Sequence, residues 1–493
     1  MIFIEKFTKP YELSEYNSVI PHKDGWLLHS QMSGALVLLN EENKKYYDQF
    51  AKKRKAPIHF LKMLKENGFL KKKNSDEREQ IKKAWDITVN SSKAKALTVV
   101  TTDRCNLGCT YCYEKKTEWR MMDEDVQNQV KDFITRYLTT SETSGFGVTW
   151  FGGEPTLNMN CIENLSAHIK KVCDKNKIPW HAFVVTNGTT LKQNVIDRLK
   201  KCNVDRIQIT LDGFGEQHDL KRPYLRNMKV EDMNEYQIEQ RKKATSLLPI
   251  IQPEKPTVRS SSFDDIIQNL ELCYLSGFQV SLRVNVDDTN KDSVLKLYEY
   301  VYGMGWMKKN KDGGIVRVYT HQIFDGCSTS CSMKKEEYAQ FEASINRWTQ
   351  SRTPESYRKL IKYTGDTCTA NKKHQFVVNP SGHIIKCWHH ATDDSHSIGH
   401  ISELSFASKG TQDRDRYHFS PFEDKECVDC HVLPICLGGC KVNNKFDSEG
   451  YSGQKEQGCI TARWNLKEEI IQLYEATKRD KELKYTREVV EYL

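Results

Sequence analysis

The chain has 493 residues, enough for several domains, and a net charge of +8 spread over 74 basic and 66 acidic side chains. Charge so dispersed lacks the concentrated stripe of a nucleic-acid surface, and short runs such as Lys52-Lys53-Arg54-Lys55 and Lys71-Lys72-Lys73 read as solvated helix ends. No run of eighteen apolar residues occurs and the N-terminus lacks a signal-peptide pattern, which predicts a soluble cytoplasmic protein with no membrane or nucleic-acid partner.

Residues 1–90 read as a separable domain, and no cysteine precedes Cys105. Trp26–Leu28 and Ala35–Leu39 have the character of strands joined through Ser33-Gly34. Asn40 is placed to cap a helix that begins at Glu41 and runs through Tyr46, Tyr47 and Phe50. After Pro57, the apolar residues Ile58, Leu61 and Leu64 share a helical face that Gly68 ends, and Phe69-Leu70 starts a short wing strand. The pattern predicts a winged-helix-like domain. The charged stretch from Lys71 to Lys83 is either a linker or an exposed helix.

Residues 93–320 alternate strands with helices. The strands expected are Leu97–Thr101, Phe146–Phe151, Ala182–Thr186, Arg206–Leu211, Gln279–Val284 and Ile315–Tyr319. The helices are Glu124–Leu138, Cys161–Lys175, Leu191–Cys202, Asp264–Ser276 and Asp292–Tyr302. Repeated βα units imply a parallel sheet with right-handed crossovers and chemistry at the C-terminal strand ends. The first strand leads into Cys105-x3-Cys109-x2-Cys112. Three thiolates on one loop suit three corners of a 4Fe–4S cluster and leave the fourth iron open to a small molecule. A structural zinc site needs a fourth ligand, which this loop lacks.

Polar signatures mark the later strand ends: Gly152-Gly153-Glu154-Pro155 after the second, Asn187 after the third, Thr210 and Asp212 at the fourth, and Arg283 and Asn285 at the fifth. Two glycines permit close backbone approach, and a carboxylate accepts hydrogen bonds from an ammonium. Asn187 and Thr210 are equally readable as turn and cap residues. The stretch from Tyr224 to Val258, with a charged helix expected at Glu231–Ala244 and three prolines, is a lid or a tolerated insertion. Cys161, Cys173, Cys202 and Cys273 lie inside helical patterns and read as small core residues.

After a bridging region, 321–367, cysteines cluster again in residues 368–460: Cys368-x13-Gly382-x4-Cys387, then Cys427-x2-Cys430-x5-Cys436-x3-Cys440 and Cys459. A zinc ribbon accounts for four of these and leaves three over. In the last segment, 461–493, Trp464, Ile470, Ile471 and Tyr474 fall at helical spacing.

The cysteine loop with Tyr111 before its last cysteine, the Gly-Gly-Glu-Pro stretch and the seven later cysteines together resemble the radical S-adenosylmethionine (SAM) enzymes with a C-terminal SPASM domain, of the peptide-maturase type. The resemblance implies a partial (β/α)6 TIM-like barrel, an N-terminal winged-helix peptide-recognition domain and a SPASM iron–sulfur domain. It implies that Cys105, Cys109 and Cys112 hold a SAM-binding 4Fe–4S cluster, with Tyr111, Gly152, Gly153, Glu154, Asn187, Thr210, Arg222 and Arg283 contacting SAM. It further implies two auxiliary 4Fe–4S clusters, one on Cys427, Cys430, Cys436 and Cys459, the other on Cys368, Cys387 and Cys440 with Cys327 or Cys331 as a candidate fourth ligand. The activity implied is hydrogen abstraction by a 5′-deoxyadenosyl radical from a ribosomally made precursor peptide. The product carries a thioether or another intramolecular crosslink. The partners are a leader-bearing peptide, bound by strand addition to the N-terminal domain, and a one-electron donor such as flavodoxin or ferredoxin. Sulfatase-maturating members carry Asp after the cysteine equivalent to Cys387; here Trp388 follows. The alternatives are sulfatase-type protein oxidation and a non-enzymatic iron–sulfur electron carrier, and the Gly152, Gly153, Glu154 and Arg222 pocket argues against the latter.

Overall fold

The structure, a computed structural model, describes residues 10–114, 118–228, 231, 233, 237–238, 242, 261–323, 333–353, 361–410, 419–440, 442, 458–479 and 490–492. Most of the expected helix at 231–244, the prolines that follow it, and Cys327 and Cys331 lie outside these residues. The chain folds as two compact units, each assembled from separate stretches. One comprises Met1–Val89, Lys334–Cys368 and Phe419–Leu493; the other comprises Asn90–Met333 and Thr369–His418. The division runs through the 368–460 segment, whose first half joins the βα repeats.

In the first unit, β1 (Tyr11–Leu13) pairs antiparallel with β5 (Leu70–Lys72), the expected wing strand. An antiparallel sheet runs β2 (Asn17–His22), β3 (Gly25–Ser30), β4 (Leu36–Leu39), and a short strand, Val490–Tyr492, adds parallel to β4. The helix Glu41–Lys53 starts as the sequence predicts, with Asn40 Oδ1 accepting from the Asn43 amide at 2.8 Å. With the helix Ile58–Glu66 it packs Phe50, Phe60, Leu61 and Leu64 on Leu28, Val37 and Leu39. The opposite sheet face carries Ile20, Leu27 and Leu36 onto Leu466, Ile470 and Leu473 of the helix Ala462–Arg479. The N-terminal residues therefore share a core with the C-terminal helix. The charged stretch after Lys71 continues into a helix, Glu77–Asn90, whose Ile81, Trp85 and Val89 form an apolar stripe against Leu433 and Leu437.

The second unit is built on β6 (Ala94–Thr102), β7 (Gly145–Gly152), β8 (Trp180–Thr186), β9 (Val204–Thr210), β10 (Gln279–Val286) and β11 (Ile315–Gln322). These pair parallel in chain order, all six at the expected positions. Burial alternates along β7, β8 and β10: Val148, Trp150, Ala182, Val184, Leu282 and Val284 are buried on one face, and most residues between them are only partly so. Helices Glu124–Thr139, Met159–Asn176, Gln193–Lys201, Ser262–Leu275 and Lys291–Gly303 connect them. Asp123 and Ser261 cap two of these through their side chains. Cys161, Cys173, Cys202 and Cys273 are buried in the core, as expected. The sheet then continues beyond β6. β12 (Gln375–Val378) lies parallel to β6, and β13 (His383–Ile385) and β14 (Gly399–His400) follow antiparallel. This extension brings the Cys387 segment to the sheet that carries the first cysteine loop. No helix among the described residues is long and apolar enough to cross a membrane.

Candidate active site

The loop bearing Cys105, Cys109 and Cys112 leaves the C-terminal end of β6 and is held from three sides. The first contact is with the end of β7. The amides of Gly153 and Glu154 donate to the carbonyls of Thr102 (3.0 Å) and Arg104 (2.8 Å). A Cβ on Gly152 would stand 2.3 Å from the Thr102 oxygen, and one on Gly153 would stand 2.6 Å from those of Asp103 and Arg104. Gly152 also has φ +146°, which side chains rarely adopt. The two glycines thus bring β7 against the cysteine loop itself.

The second contact is with the segment after β9. Backbone bonds run from Gly108 to Pro223 (2.8 Å), Thr110 to Lys221 (3.0 Å) and Leu225 to Asn106 (3.1 Å). Arg222 Nη1 donates to the Tyr111 hydroxyl at 2.6 Å, Asn285 Nδ2 donates to it at 2.9 Å, and that hydroxyl donates to Asp212 Oδ2. Asp212 Oδ1 accepts from the Asn285 amide, and Arg283 Nε donates to Asn285 Oδ1 at 2.8 Å. Tyr111, Arg222, Arg283 and Asn285 are thereby one network across the ends of β9 and β10. Burial opposes the Arg222 charge, but Cys109, Tyr111 and Asp212 outweigh it and hold the guanidinium protonated. Its Nε is buried and has no hydrogen-bond partner among the described residues. A buried donor of this kind suits an anionic group of a ligand.

The third contact was not legible in the sequence. Arg120 pairs with Asp103 (2.8 Å) and with Asp394 (2.7 Å), and donates to Ser381 Oγ (2.6 Å). It links the cysteine loop to the β12–β14 extension. On the same side Tyr113 stacks on His389, with ring centroids 4.9 Å apart.

Glu154 is fully buried, and its carboxylate accepts from Thr156 N (3.1 Å), Thr156 Oγ1, Thr186 Oγ1 (2.8 and 2.9 Å) and Asn187 N (2.7 Å). Burial raises its pKa, and these donors partly offset the rise. In this structure Glu154 therefore fastens β7 to β8. Asn187 does two jobs at once. Its Oδ1 accepts from the Thr189 amide in a turn, and its Nδ2 donates to Asn106 Oδ1 (2.8 Å) and toward Cys105 Sγ (3.7 Å). Thr210 is buried at the end of β9, in register with Arg283.

Burial raises all three loop thiols; Cys109 adds to the rise at Cys105, and both add to it at Cys112. Three partly buried thiols on one loop ionise readily beside a cationic core, so the donor set fits an iron–sulfur cluster. In the same unit Cys387 is half-buried at the end of β13, and its charge is felt at Tyr113. In the other unit, burial raises Cys436 to about 11, with Cys459 and Cys430 adding to the rise. Arg463 Nη1 approaches Cys459 Sγ at 3.2 Å, and the Cys427 amide is capped by Asp424. Cys368 and Cys440 belong to that unit and are exposed.

Residues 99–249, which contain the cysteine loop and the ends of β7, β8 and β9, match the profile of the Radical SAM superfamily. The chain carries a radical SAM domain. The family uses a 4Fe–4S cluster and SAM. The radical SAM cyclopropyl synthase TigE of Paramaledivibacter caminithermalis is 28% identical over 171 residues, covering 31% of this chain and 35% of that protein. The chain thus spans about a third of that relative's length. Among solved structures, anSMEcpe with bound AdoMet and Cp18Cys peptide is similar with a TM-score of 0.55 at 16% identity, over 78% of this chain and 97% of that one. Streptococcus suis SuiB bound to S-adenosylmethionine has a TM-score of 0.50 at 13% identity, over 91% of this chain and 99% of that one. At such identities the likeness is one of fold. Around the radical SAM domain, the sequence alone would not have found Arg120 or His389, because their partners Asp394 and Tyr113 lie far along the chain.

Proposed function

We propose that this chain is a radical SAM peptide maturase. It acts on a ribosomally made precursor peptide and forms a thioether or another intramolecular crosslink. The observation that carries the reading is the arrangement at the ends of β6–β10, where the cysteine loop meets the Arg222–Tyr111–Asp212 network. An electron carrier needs no such arrangement. When bound, the cluster and SAM supply a 5′-deoxyadenosyl radical, which takes a hydrogen atom from the substrate.

The residues of the chain prepare that chemistry. Cys105, Cys109 and Cys112 present thiolates from one loop, and Gly152, Gly153 and Arg120 fix the loop's path. Arg222, with its charge sustained by Tyr111 and Asp212, offers its free Nε to the carboxylate of SAM. Arg283, Asn285 and Thr210 line the neighbouring strand ends. Asn187 orients Cys105, and Glu154 holds the β8 end that carries Asn187. In the other unit, Cys427, Cys430, Cys436 and Cys459 serve as ligands of an auxiliary 4Fe–4S cluster, and the electron enters from a small donor such as flavodoxin or ferredoxin.

Peptide maturation is favoured over sulfatase-type oxidation by Trp388. It packs on Phe151 with ring centroids 5.2 Å apart and belongs to an apolar cluster with Val100, Val377 and Ile385, so no carboxylate stands there. The leader is proposed to add as a strand to the N-terminal sheet. Among the described residues β2 is one edge of this sheet, opposite the short strand Val490–Tyr492, and it contains Pro21, a residue confined to edge strands and bulges. The test is anaerobic incubation with SAM, dithionite and short peptides encoded beside the gene. Loss of two hydrogen atoms per crosslink, with release of 5′-deoxyadenosine, supports the reading. Cleavage of SAM with no peptide ever changed in mass counts against it.

A further inference from the structure

The segment after Cys387 contains a set of side chains that the radical chemistry does not use. Its backbone bonds run His390 to Cys387, Asp393 to His390 and His396 to Asp393, each from residue i to i−3. These bonds belong to two separate 3₁₀ turns, Trp388–His390 and Asp394–His396, with Asp393 extended between them. The two turns bring two imidazoles and a carboxylate together.

The geometry bears this out. One donor atom from each of the three lies within 4.8 Å of the others. His390 and His396 are 6% and 5% exposed, with ring centroids 3.6 Å apart. Asp393 Oδ1 is turned inward on its own loop, accepting from the Ser395 amide (3.1 Å) and hydroxyl (2.6 Å). Its Oδ2 lies 3.7 Å from His396 Nε2. That is too long for a good hydrogen bond, but near the ~3.3 Å that separates two ligand atoms of a tetrahedral ion with bonds of about 2.0–2.1 Å. The adjacent Asp394 shows the contrast. It is taken up by Arg120 at 2.7 Å and by Asn379 Nδ2, so the two neighbouring carboxylates serve different partners.

We propose that His390, Asp393 and His396 bind one divalent transition-metal ion, apart from any iron–sulfur cluster. Two imidazoles and one carboxylate suit zinc or ferrous iron, and three protein ligands leave a coordination position open to water or a substrate group. The ion would brace the turn between β13 and β14, whose Ala391 and Trp388 pack on Phe151 at the end of β7.

The test uses the full chain with its clusters reconstituted anaerobically, and zinc as the probe, because zinc is absent from the clusters. Zinc is titrated in, bound zinc is counted per chain, and its K-edge absorption spectrum is recorded. The expected result is one tightly held zinc with a first shell of nitrogen and oxygen only. Its affinity should fall at least tenfold in His390→Ala and in His396→Ala but persist in His389→Ala, the neighbouring imidazole outside the set. A sulfur in the first shell, no zinc above background, or unchanged binding in both His variants would overturn the proposal. The spectrum of the unmutated protein decides the matter even if a variant fails to fold.

Discussion

The amide of Asn187 donates toward the sulfur of Cys105 at 3.7 Å, so a side chain from the end of β8 touches a thiol on the loop after β6. Hydrogen bonds to ligand sulfurs help set the potential of an iron–sulfur cluster, because they stabilise the more reduced, more negative state. Replacing Asn187 with Leu should lower the midpoint potential of the SAM-binding cluster by on the order of 20–60 mV, where 59 mV is a tenfold change for a one-electron couple. A redox titration followed by electron paramagnetic resonance reads the shift. An unchanged potential would mean the contact is incidental.

Arg222 should be irreplaceable by lysine. A lysine keeps the charge but loses the planar fork that bonds Tyr111 while leaving Nε to face a ligand. Hydrogen bonds to charged groups contribute about 1.5–3 kcal/mol, so Arg222→Lys should weaken SAM binding by roughly ten- to a hundredfold. Equilibrium dialysis with labelled SAM measures this, and retention of full affinity would remove Arg222 from the SAM site.

At Gly153 the effect should be on the loop. An added methyl would meet two carbonyl oxygens at 2.6 Å, and neither belongs to a flexible side chain. Overpacking of this kind costs about 1–3 kcal/mol. Gly153→Ala should lower the unfolding midpoint and reduce iron occupancy, whereas Gly303→Ala, in open space, should do neither. Iron analysis with thermal denaturation separates the two.

The βα repeats were readable because strands such as Gln279–Val286 place an apolar residue at every second position and the helices between them keep a 3.6-residue period. The three cysteines and the Gly-Gly-Glu stretch were readable because their partners lie within a short loop or strand end. What sequence reasoning missed depends on distant pairing. β2 (Asn17–His22) alternates poorly and holds a proline, so it does not look like a strand. β12 joins β6 across more than 270 residues, and nothing in Gln375–Val378 names that neighbour. The same holds for Arg120, whose partner Asp394 lies 274 residues along the chain. Glu154 reads in the sequence as an acceptor for an ammonium, and only the fold brings the hydroxyl of Thr186 at the end of β8 to join that of the neighbouring Thr156 in engaging it.

Acid should loosen the first unit through His29. Burial pushes its pKa down to about 4, from about 6.5 in the unfolded chain. A group protonated more easily when unfolded contributes stability that is intact above pH 6.5 and lost as pH falls toward 4. Between pH 7 and 5 the loss is about 2 kcal/mol. His29→Leu should flatten that part of the profile in denaturant titrations at the two pH values. A slope equal to the unmutated protein's would assign the acid sensitivity elsewhere.

The central claim is that the loop at Cys105, Cys109 and Cys112 is where SAM is cleaved. Its most direct measurement is 5′-deoxyadenosine released under anaerobic reduction, quantified by mass spectrometry, for the reconstituted protein and for Cys109→Ala. Steady release by the intact protein and none by the variant, with the iron not held by that loop retained, is the predicted result. Equal release by both proteins, or none from a fully iron-loaded intact protein, would contradict it.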